Sequence, residues 1–526
     1  MDEVTAMAMR LLEEAQTGGA QRVLEVTEAA LREPTGELVD GPAALHFARV
    51  VGFYSLGDIP ASIAAIDLML IAADREASTG WRSSALSLRA IMRLQVGMHE
   101  VTDGDIETAL RDLVEAEAAL RDGEPDPVVA GNAYTGIGLG YHQLRLYELA
   151  VPQYLAAYEA SCHIAEPNGN RAMWLANLAI LHLQWALELY QVGQDVEAEK
   201  HTAEAEHFAY RAADESDGPD AEAWRLTGLT YAACARADRD DPAGAAADLE
   251  HYLALLVARG LPTNVLLFCR PFQAVAVSRA GRPDEALRII EAAVATAART
   301  PETEWLVTAA LHRTHAVLLV KNGSSEARAG LHYGDVLAAA LWRQRLRTLH
   351  AARTMKSFET LRGQHEVATR AAATDPLTGV SNRRGFDDLI DDLTARTGPA
   401  SDQVITVLIV DMDRFKEIND THGHSAGDEA LCQVTQALLG SVREGDTVAR
   451  LGGDEFAALL PDIDPANGRR IARRMVDTVA SLGLSGATVS VGVASGPAHA
   501  VRSTIAAADQ AMYQAKRAGG NTVAAA

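Results

Sequence analysis

The stretch Arg450-Leu451-Gly452-Gly453-Asp454-Glu455-Phe456 decides how the C-terminal part of this chain is interpreted. Short apolar segments flank it, and two glycines stand directly before two carboxylates. We expect two short strands joined by a glycine turn, because glycine adopts positive φ and lets a bulky ligand approach the backbone. Adjacent carboxylates at its tip repel each other unless a cation lies between them. The turn suggests a metal–phosphate site, although a plain hairpin explains the same residues when they are taken alone.

Further motifs precede and follow this turn within residues 373–526. Thr374-Asp375-Pro376-Leu377-Thr378-Gly379 opens the segment, and an apolar strand over 404–410 ends at Asp411-Met412-Asp413. The remaining pattern predicts helices over 430–439, 465–481 and 503–517 and a strand over 488–494. Strands and helices therefore interleave as in a ferredoxin-like α+β sheet.

These motifs, in this order and at these intervals, resemble the GGDEF domain of diguanylate cyclases. The resemblance covers residues 373–526 and implies a ferredoxin-like, palm-type fold. It further implies an enzyme that joins two GTP molecules into cyclic di-GMP, releases pyrophosphate and acts as a homodimer.

The same resemblance assigns a metal site. It implies that Asp411 and Asp454 hold one or two Mg²⁺ or Mn²⁺ ions, with the Met412 carbonyl as a further ligand. Hard oxygen ligands suit these ions. Glu455 is expected either to bind the second metal or to help deprotonate the 3′-hydroxyl, and the sequence does not separate these roles. We interpret Asp413 as structural and expect it to point away from the site.

A nucleotide site is implied beside the metal. Lys416 is placed to meet the β- and γ-phosphates, helped by backbone amides of Arg414 and Phe415, and it joins Asp411, Asp454 and Glu455 in the expected catalytic set. Asn419 and Asp428 resemble the guanine readers of the family. Further GTP contacts are expected from His424, Gly452, Gly453 and Lys516. The family usually has Gly-Arg-Asn where this chain has Gly519-Gly520-Asn521, so one phosphate-binding cation is missing.

A second ligand site is implied just before the glycine turn. Arg443-Glu444-Gly445-Asp446 resembles the family's inhibitory site for cyclic di-GMP, and Arg474 matches its second arginine. Arginine binds phosphate or the guanine edge through two hydrogen bonds, and aspartate accepts from guanine N1 and N2. An exposed ion pair is the alternative explanation of the same arginine and aspartate.

Length and charge limit the remaining possibilities. The 526 residues carry a formal net charge of −24, which argues against a general nucleic-acid or anionic-membrane surface. The four cysteines are scattered without metal-ligand spacing, and no apolar run approaches the roughly 20 residues that span a bilayer. No apolar signal-peptide core follows the acidic N-terminus. We therefore expect a cytoplasmic protein that binds neither nucleic acid nor membrane.

Residues 1–335 read as successive helices, with apolar residues spaced three and four apart. Turn centres at positions 57, 104, 145, 193, 240, 281 and 323 are 41 to 48 residues apart. This period predicts an all-α solenoid whose Tyr-x-x-Gly turns resemble tetratricopeptide repeats, although those repeats are shorter, at roughly 34 residues. Its groove is expected to bind an unknown peptide, protein or small ligand as a sensory or docking domain. An inert dimerisation scaffold is the alternative.

A connecting helix is predicted over residues 336–372, which contain no proline. Its apolar stripe consists of Trp342, Leu346, Leu349, Ala352, Met355 and Phe358. The spacing fits a short two-helix coiled coil that would hold two copies of the next domain side by side. It fits equally a helix docked on the array.

Two function classes follow from these patterns. The first is an active diguanylate cyclase that is regulated by the helical domain and by its product. The second is a non-catalytic protein that senses cyclic di-GMP or GTP, for which the altered Gly520 is the only sign, because the Gly-Gly-Asp-Glu-Phe turn is intact. A pure repeat scaffold with a vestigial C-terminal domain is a third possibility.

Overall fold

The computed structural model describes residues 2–15, 19–32, 41–96, 103–121, 123–124, 126–163, 170–216, 221–239, 241–259, 263–300, 304–397, 403–483 and 486–526. The chain divides into two compact units, Met1–Thr360 and Leu361–Ala526. None of the described helices combines the length and the apolarity that crossing a bilayer requires.

The described part of the first unit is built from helices. They are α1 (Glu3–Glu14), α2 (Ala20–Arg32), α3 (Ala43–Ser55), α4 (Ile59–Arg75), α5 (Thr79–Val96), α6 (Asp103–Ala119), α7 (Pro127–Gln143), α8 (Tyr147–Ser161), α9 (Asn170–Gln191), α10 (Asp195–Asp214), α11 (Ala221–Arg236), α12 (Pro242–Ala258), α13 (Thr263–Arg279), α14 (Pro283–Ala297) and α15 (Trp305–Lys321). A long helix, α16 (Ser325–Ala373), begins here and continues into the second unit.

The array formed by α1–α15 is layered. Each helix packs against the next one along the chain, and several odd-numbered helices also pack on each other, α9 on α11 and α11 on α13 among them. Fully buried alanines such as Ala133, Ala150 and Ala205 let the helix backbones approach closely. This two-layer packing is typical of helical repeats. The finer assignment to tetratricopeptide repeats remains a proposal.

Most predicted turn centres lie between helices. Gly57, Arg145, Gly193, Gly281 and Gly323 all adopt positive φ, from +60° to +93°. Position 240 lies outside the described residues. The turn predicted at 104 is wrong, because α6 already begins at residue 103. Its acidic residues suit the positive end of a helix as well as they suit a loop.

The first part of α16 lies against the array. Trp342, Leu349 and Ala352 are buried, and the Lys356 ammonium lies 2.6 Å from Glu117 Oε1. Leu346 and Phe358, from the same predicted stripe, remain 42% and 67% exposed.

The second unit contains a six-stranded mixed sheet. Its strands are β1 (Ser381–Asn382), β2 (Val404–Asp413), β3 (Thr447–Gly452), β4 (Glu455–Pro461), β5 (Thr488–Pro497) and β6 (Val523–Ala525), and their spatial order is β1-β3-β4-β2-β5-β6. Strand β2 is central and antiparallel to both β4 and β5. The inner four strands have the order of a ferredoxin-like sheet, with β1 and β6 added in parallel at the edges.

Helices cover both faces of this sheet. They are α17 (Arg383–Arg396), α18 (Phe415–His422), α19 (His424–Leu439), α20 (Pro465–Ser481) and α21 (Val501–Arg517). Leu408 and Val410 of β2 share one core with α19 and α20, whereas Val407 and Ile409 share the other core with α17 and α21. The alternation follows the two-residue period of a strand, so Asp411 lies on the α21 side.

Candidate active site

The glycine turn is a hairpin between β3 and β4. Gly452 and Gly453 have φ of +147° and +55° and are exposed, so the turn needs glycine and leaves its backbone open. Glu455 begins β4, opposite both Gly452 of β3 and Asp411 of β2. The Met412 N–H donates to the Asp454 carbonyl at 3.2 Å. The end of β2 and the tip of the hairpin therefore meet.

Asp411 is the buried member of this carboxylate group, at 5% exposure. Burial raises its pKa to about 6; the Lys516 ammonium opposes this shift, while Asp454 and Glu455 reinforce it. Lys516 on α21 contacts Asp411 Oδ1. Asp454 and Glu455 add two further negative charges beside this ion pair. A buried carboxylate with two more carboxylates nearby and one ammonium favours an additional cation.

The donor set fits Mg²⁺ or Mn²⁺. Asp411, Asp454 and the Met412 carbonyl supply oxygen donors at one edge of the sheet, and phosphate oxygens of a nucleotide would complete the coordination. Among the described residues, no group of three or more His, Cys, Asp or Glu side chains is arranged to hold a metal by itself. The arrangement therefore suits an ion that is shared with a phosphate-bearing ligand.

The segment after β2 supplies the expected nucleotide contacts. Arg414 adopts a left-handed conformation, with φ of +59°, and leads into α18, where Lys416 is exposed in the first turn. The Asn419 side chain lies against Gly427 of α19, where an added Cβ would be 2.0 Å from Asn419 Oδ1. Asp428 is thereby placed close to Asn419 and is exposed. His424 is exposed at the start of α19.

Asp413 corrects one expectation. It shares a face of β2 with Asp411 instead of pointing away, because residues two apart lie on the same side of a strand. Its carboxylate accepts hydrogen bonds from Thr488 Oγ1 and Ser490 Oγ at 2.7 Å each, and from the Asn521 N–H at 2.8 Å. Asp413 therefore fastens the segment before β6 to the sheet.

Gly520 is fitted to this carboxylate. It adopts φ of +77°, and an added Cβ would lie 2.9 Å from Asp413. The absence of an arginine side chain at this position thus has a packing reason.

Two residues near the site received no role from the sequence. Arg450 donates through Nε and Nη2 to the Gly453 carbonyl, at 3.0 and 2.8 Å, and through Nη1 to Asp375 at 3.1 Å. Partial burial would raise the pKa of Asp375, but hydrogen bonds from Thr378 and Arg450 outweigh it and hold that pKa below its ordinary value. We call Arg450 and Asp375 the turn brace. The spacing Asp375-x-x-Thr378 is a local signal for a capped turn, in which Asp375 accepts from Thr378. The pairing of Asp375 with Arg450 has no local signal in the sequence.

The residues of the expected product site are close in space. Arg443 donates through Nη2 to the Pro461 carbonyl at 2.7 Å, and Arg474 donates to the Ser441 carbonyl at 2.6 Å. The Asp446 side chain is only 1% exposed and accepts from the Arg443 N–H at 3.0 Å. In this conformation the Asp446 side chain stabilises the turn over residues 443–446. Arg443 and Arg474 lie beside that turn.

Comparison with known proteins finds similarity within the second unit. Residues 372–522 match the family model described as diguanylate cyclase, GGDEF domain. The response regulator PleD of Caulobacter vibrioides is 36% identical over 173 residues, which are 31% of this chain and 38% of PleD. Diguanylate cyclase TpbB of Pseudomonas aeruginosa is 42% identical over 168 residues, which are 30% of this chain and 38% of TpbB.

A solved structure is also similar. It contains the coiled coil and GGDEF domain of DgcB from Caulobacter crescentus in complex with c-di-GMP, and it is 32% identical, covering 34% of this chain and 97% of that one with a TM-score of 0.31. By the family match, residues 372–522 are similar to GGDEF domains, and we refer to this region as the GGDEF domain. The chain spans 38% of the length of the two curated relatives.

Proposed function

We propose that this protein is a diguanylate cyclase that condenses two GTP molecules into cyclic di-GMP and two pyrophosphates. The observation that carries the proposal is the buried Asp411 carboxylate, directly opposite Glu455 and beside Asp454 on an open glycine turn. The GGDEF match and the curated relative named as a diguanylate cyclase support the same reaction.

The reaction consists of two equivalent displacements. In each, the 3′-hydroxyl oxygen of one GTP loses its proton and bonds to the α-phosphorus of the other. The bond between that phosphorus and the oxygen bridging the α- and β-phosphates breaks, and pyrophosphate leaves. Mg²⁺ or Mn²⁺ held by Asp411 and Asp454 would neutralise charge on the α-phosphate. The Glu455 side chain is 44% exposed, so it is available either to a second ion or to the hydroxyl proton.

The remaining residues bind and orient GTP. Lys416 would pair with the β- and γ-phosphates, assisted by the N-terminal amides of α18, and Lys516 would provide a second ammonium. Asn419 and Asp428 would recognise guanine. Since one domain holds one GTP, two copies of the chain must meet, and we propose a homodimer as the active form.

Incubating the purified full chain with GTP and Mg²⁺ tests this proposal. We expect cyclic di-GMP and pyrophosphate in a ratio of one to two, measured by chromatography and a coupled pyrophosphate assay. GTP binding without pyrophosphate release would overturn the proposal in favour of a non-catalytic nucleotide sensor.

Replacing Asp428 by Asn should weaken the preference of the site for guanine over other bases. The carboxylate accepts from guanine N1 and N2, whereas an amide offers one acceptor and one donor. We expect kcat/KM for GTP to fall about 10–100-fold, corresponding to one or two lost hydrogen bonds, with a smaller fall for inosine triphosphate, which lacks N2. Glu429→Gln changes the adjacent exposed carboxylate and should leave both values near wild type. An unchanged ratio between the two nucleotides would exclude Asp428 as the guanine reader.

Replacing Arg450 by Ala should misplace the glycine turn. The substitution removes two hydrogen bonds to the Gly453 carbonyl and leaves Asp375 without its arginine. We expect a loss of about 1–3 kcal/mol in the free energy of unfolding and a fall in cyclase rate of about 10–100-fold. Arg469→Ala, at an exposed position of α20, is the matched control. Wild-type activity in Arg450→Ala would show that the turn brace does not position the turn.

Two kinds of regulation belong to this proposal. Cyclic di-GMP would bind at Arg443 and Arg474 as a feedback inhibitor, with Asp446 becoming available only if the turn that it holds opens. The helical array would control the cyclase in response to a ligand that the sequence does not specify. Loss of inhibition by added cyclic di-GMP in Arg443→Ala would support the first of these.

A further inference from the structure

The first unit contains a buried arginine that belongs to α16. Arg345 is 3% exposed, and its guanidinium lies 4.5 Å from the ring centroid of Trp342, 5.1 Å from that of Tyr147 and 5.8 Å from that of Trp185. Cations over aromatic faces are attracted by the ring quadrupole, most strongly when water is excluded. An arginine of α16 is therefore enclosed by aromatic residues of its own helix and of the array.

The polar contacts of Arg345 are equally specific. Its Nε donates to the Arg145 carbonyl at 2.6 Å, and its Nη2 pairs with the carboxylate of Glu148. We call Tyr147, Glu148, Trp185 and the Arg145 carbonyl the Arg345 cage. A planar guanidinium fits this combination of stacked rings, a carboxylate and a carbonyl, whereas a lysine ammonium does not.

Residues of the array also contact one another around the cage. Glu188 is 3% exposed and accepts hydrogen bonds from Arg145 Nε at 2.6 Å and from Tyr147 Oη at 2.7 Å. The Tyr147 ring stacks on Trp185 with centroids 5.5 Å apart. These contacts orient the cage around an arginine side chain on a helix.

The docked face of α16 coincides with the predicted coiled-coil stripe. Trp342 packs with Ala186, Leu189 and Ala198 of the array, and Leu349 and Ala352 belong to the main array core. One helix face cannot lie against the array and against a second helix at the same time. Docking therefore excludes pairing through Trp342, Leu349 and Ala352.

The docked state also carries costs. Arg345 Nη1 is buried without a hydrogen-bond partner, which opposes docking. Leu346 and Phe358 of the same stripe stay exposed and would gain cover in a paired helix. These costs bring the docked and released states closer in free energy.

We propose that the Arg345 cage is an intramolecular clamp that holds residues 342–356 of α16 on the array. While clamped, this stripe cannot pair with a second copy of the chain, and release exposes it for pairing. A partner protein that presents a helix with an aromatic residue and an arginine three positions later would compete for the cage and open the clamp. The further consequence, that release promotes cyclase activity by bringing two GGDEF domains together, rests on the proposed function.

Hydrogen exchange and mass measurements on the full chain test the clamp. In Arg345→Ala, amides of residues 342–356 should exchange about tenfold faster or more, because truncating a buried, paired cation strongly destabilises its contacts. Light scattering at matched concentration should show more dimer. Arg347→Ala removes an equal charge from an exposed position of the same helix and should change neither. Arg345→Lys should resemble Arg345→Ala, because the fork and the stacking are lost.

Trp342→Ala is the second variant, since it removes an anchor of α16 and leaves the cage intact. Unchanged exchange over 342–356 in both variants would overturn the clamp. Faster amide exchange in α7–α9 as well as in α16 would also overturn the clamp. It would show that the array does not stay folded when α16 is released. Faster exchange over 342–356 without any increase in the dimer measured by light scattering would overturn the pairing step. None of these measurements requires GTP, so the clamp can be refuted or supported whatever the outcome for the proposed cyclase activity.

Discussion

Asp454→Asn and Glu455→Gln should each abolish formation of cyclic di-GMP from GTP, with rates reduced about 10³-fold or more. Both substitutions keep the shape of the side chain and remove its charge. The first removes a ligand of the ion that would neutralise the α-phosphate. The second removes either a ligand of the second ion or the acceptor of the 3′-hydroxyl proton.

The fold should survive both changes. Asp454 and Glu455 lie at the tip of an open hairpin, away from the two apolar cores of the domain. Circular dichroism and thermal unfolding should therefore match wild type, and Asp477→Asn, at an exposed position of α20, should match it in activity as well. Undiminished product from both variants, measured by chromatography, would refute the site assignment.

Asp411→Asn should abolish activity and at the same time stabilise the metal-free protein. Burial raises the pKa of Asp411 to about 6, above its ordinary value of 3.8. Its ionisation therefore opposes folding: the cost is absent below about pH 4, grows as the pH rises through about 6, and is constant above that. Removing the charge should add about 1 kcal/mol at pH 8 after discounting for solvent screening, or about 2–4 °C in Tm.

Thermal unfolding in EDTA between pH 4 and pH 8 checks this prediction. The difference in Tm between Asp411→Asn and wild type should widen as the pH rises. Asp413→Asn is the matched contrast on the same face of β2, since its carboxylate accepts three hydrogen bonds, and it should lower Tm. A lower Tm for Asp411→Asn at pH 8 would show that its charge stabilises the fold and is not held there at a cost.

Much of the GGDEF domain could be predicted from local pattern. The strand predicted over 404–410 is β2, the helix predicted over 465–481 is α20, and the hairpin forms at the two glycines. Period-two apolar runs and glycine turns are short-range signals, so they are visible in one sequence. The direction of Asp413 was predicted wrongly although the same period determines it.

Contacts between distant residues that the family motifs do not include could not be predicted. The turn brace joins Asp375 to Arg450 across 75 positions, and Asp413 meets Asn521 across 108. In the sequence, Gly520 was noted only as the position where the family usually has arginine. In the structure, its positive φ and its close packing against Asp413 explain the glycine. Such pairs are created by sheet topology, which a motif does not contain.

In the helical array, too, the sequence pattern did not determine which surfaces are in contact. Its turns were mostly visible, but the role of α16 was not, because a spacing of three and four residues fits a coiled coil and a docked helix equally. The burial of Trp342, Leu349 and Ala352 against the array distinguishes the docked helix from a coiled coil within the first unit. A buried arginine within an apolar stripe looks, in sequence, like one of its exposed neighbours.

We expect the end of β2 and the glycine hairpin to share a divalent cation with the triphosphate of GTP. Calorimetric titration of Mn²⁺ into the full chain with a non-hydrolysable GTP analogue tests it most directly. Asp411→Asn and Asp454→Asn should each weaken Mn²⁺ binding by about tenfold or more while the protein stays folded. Mn²⁺ binding of wild-type affinity in both variants would contradict it.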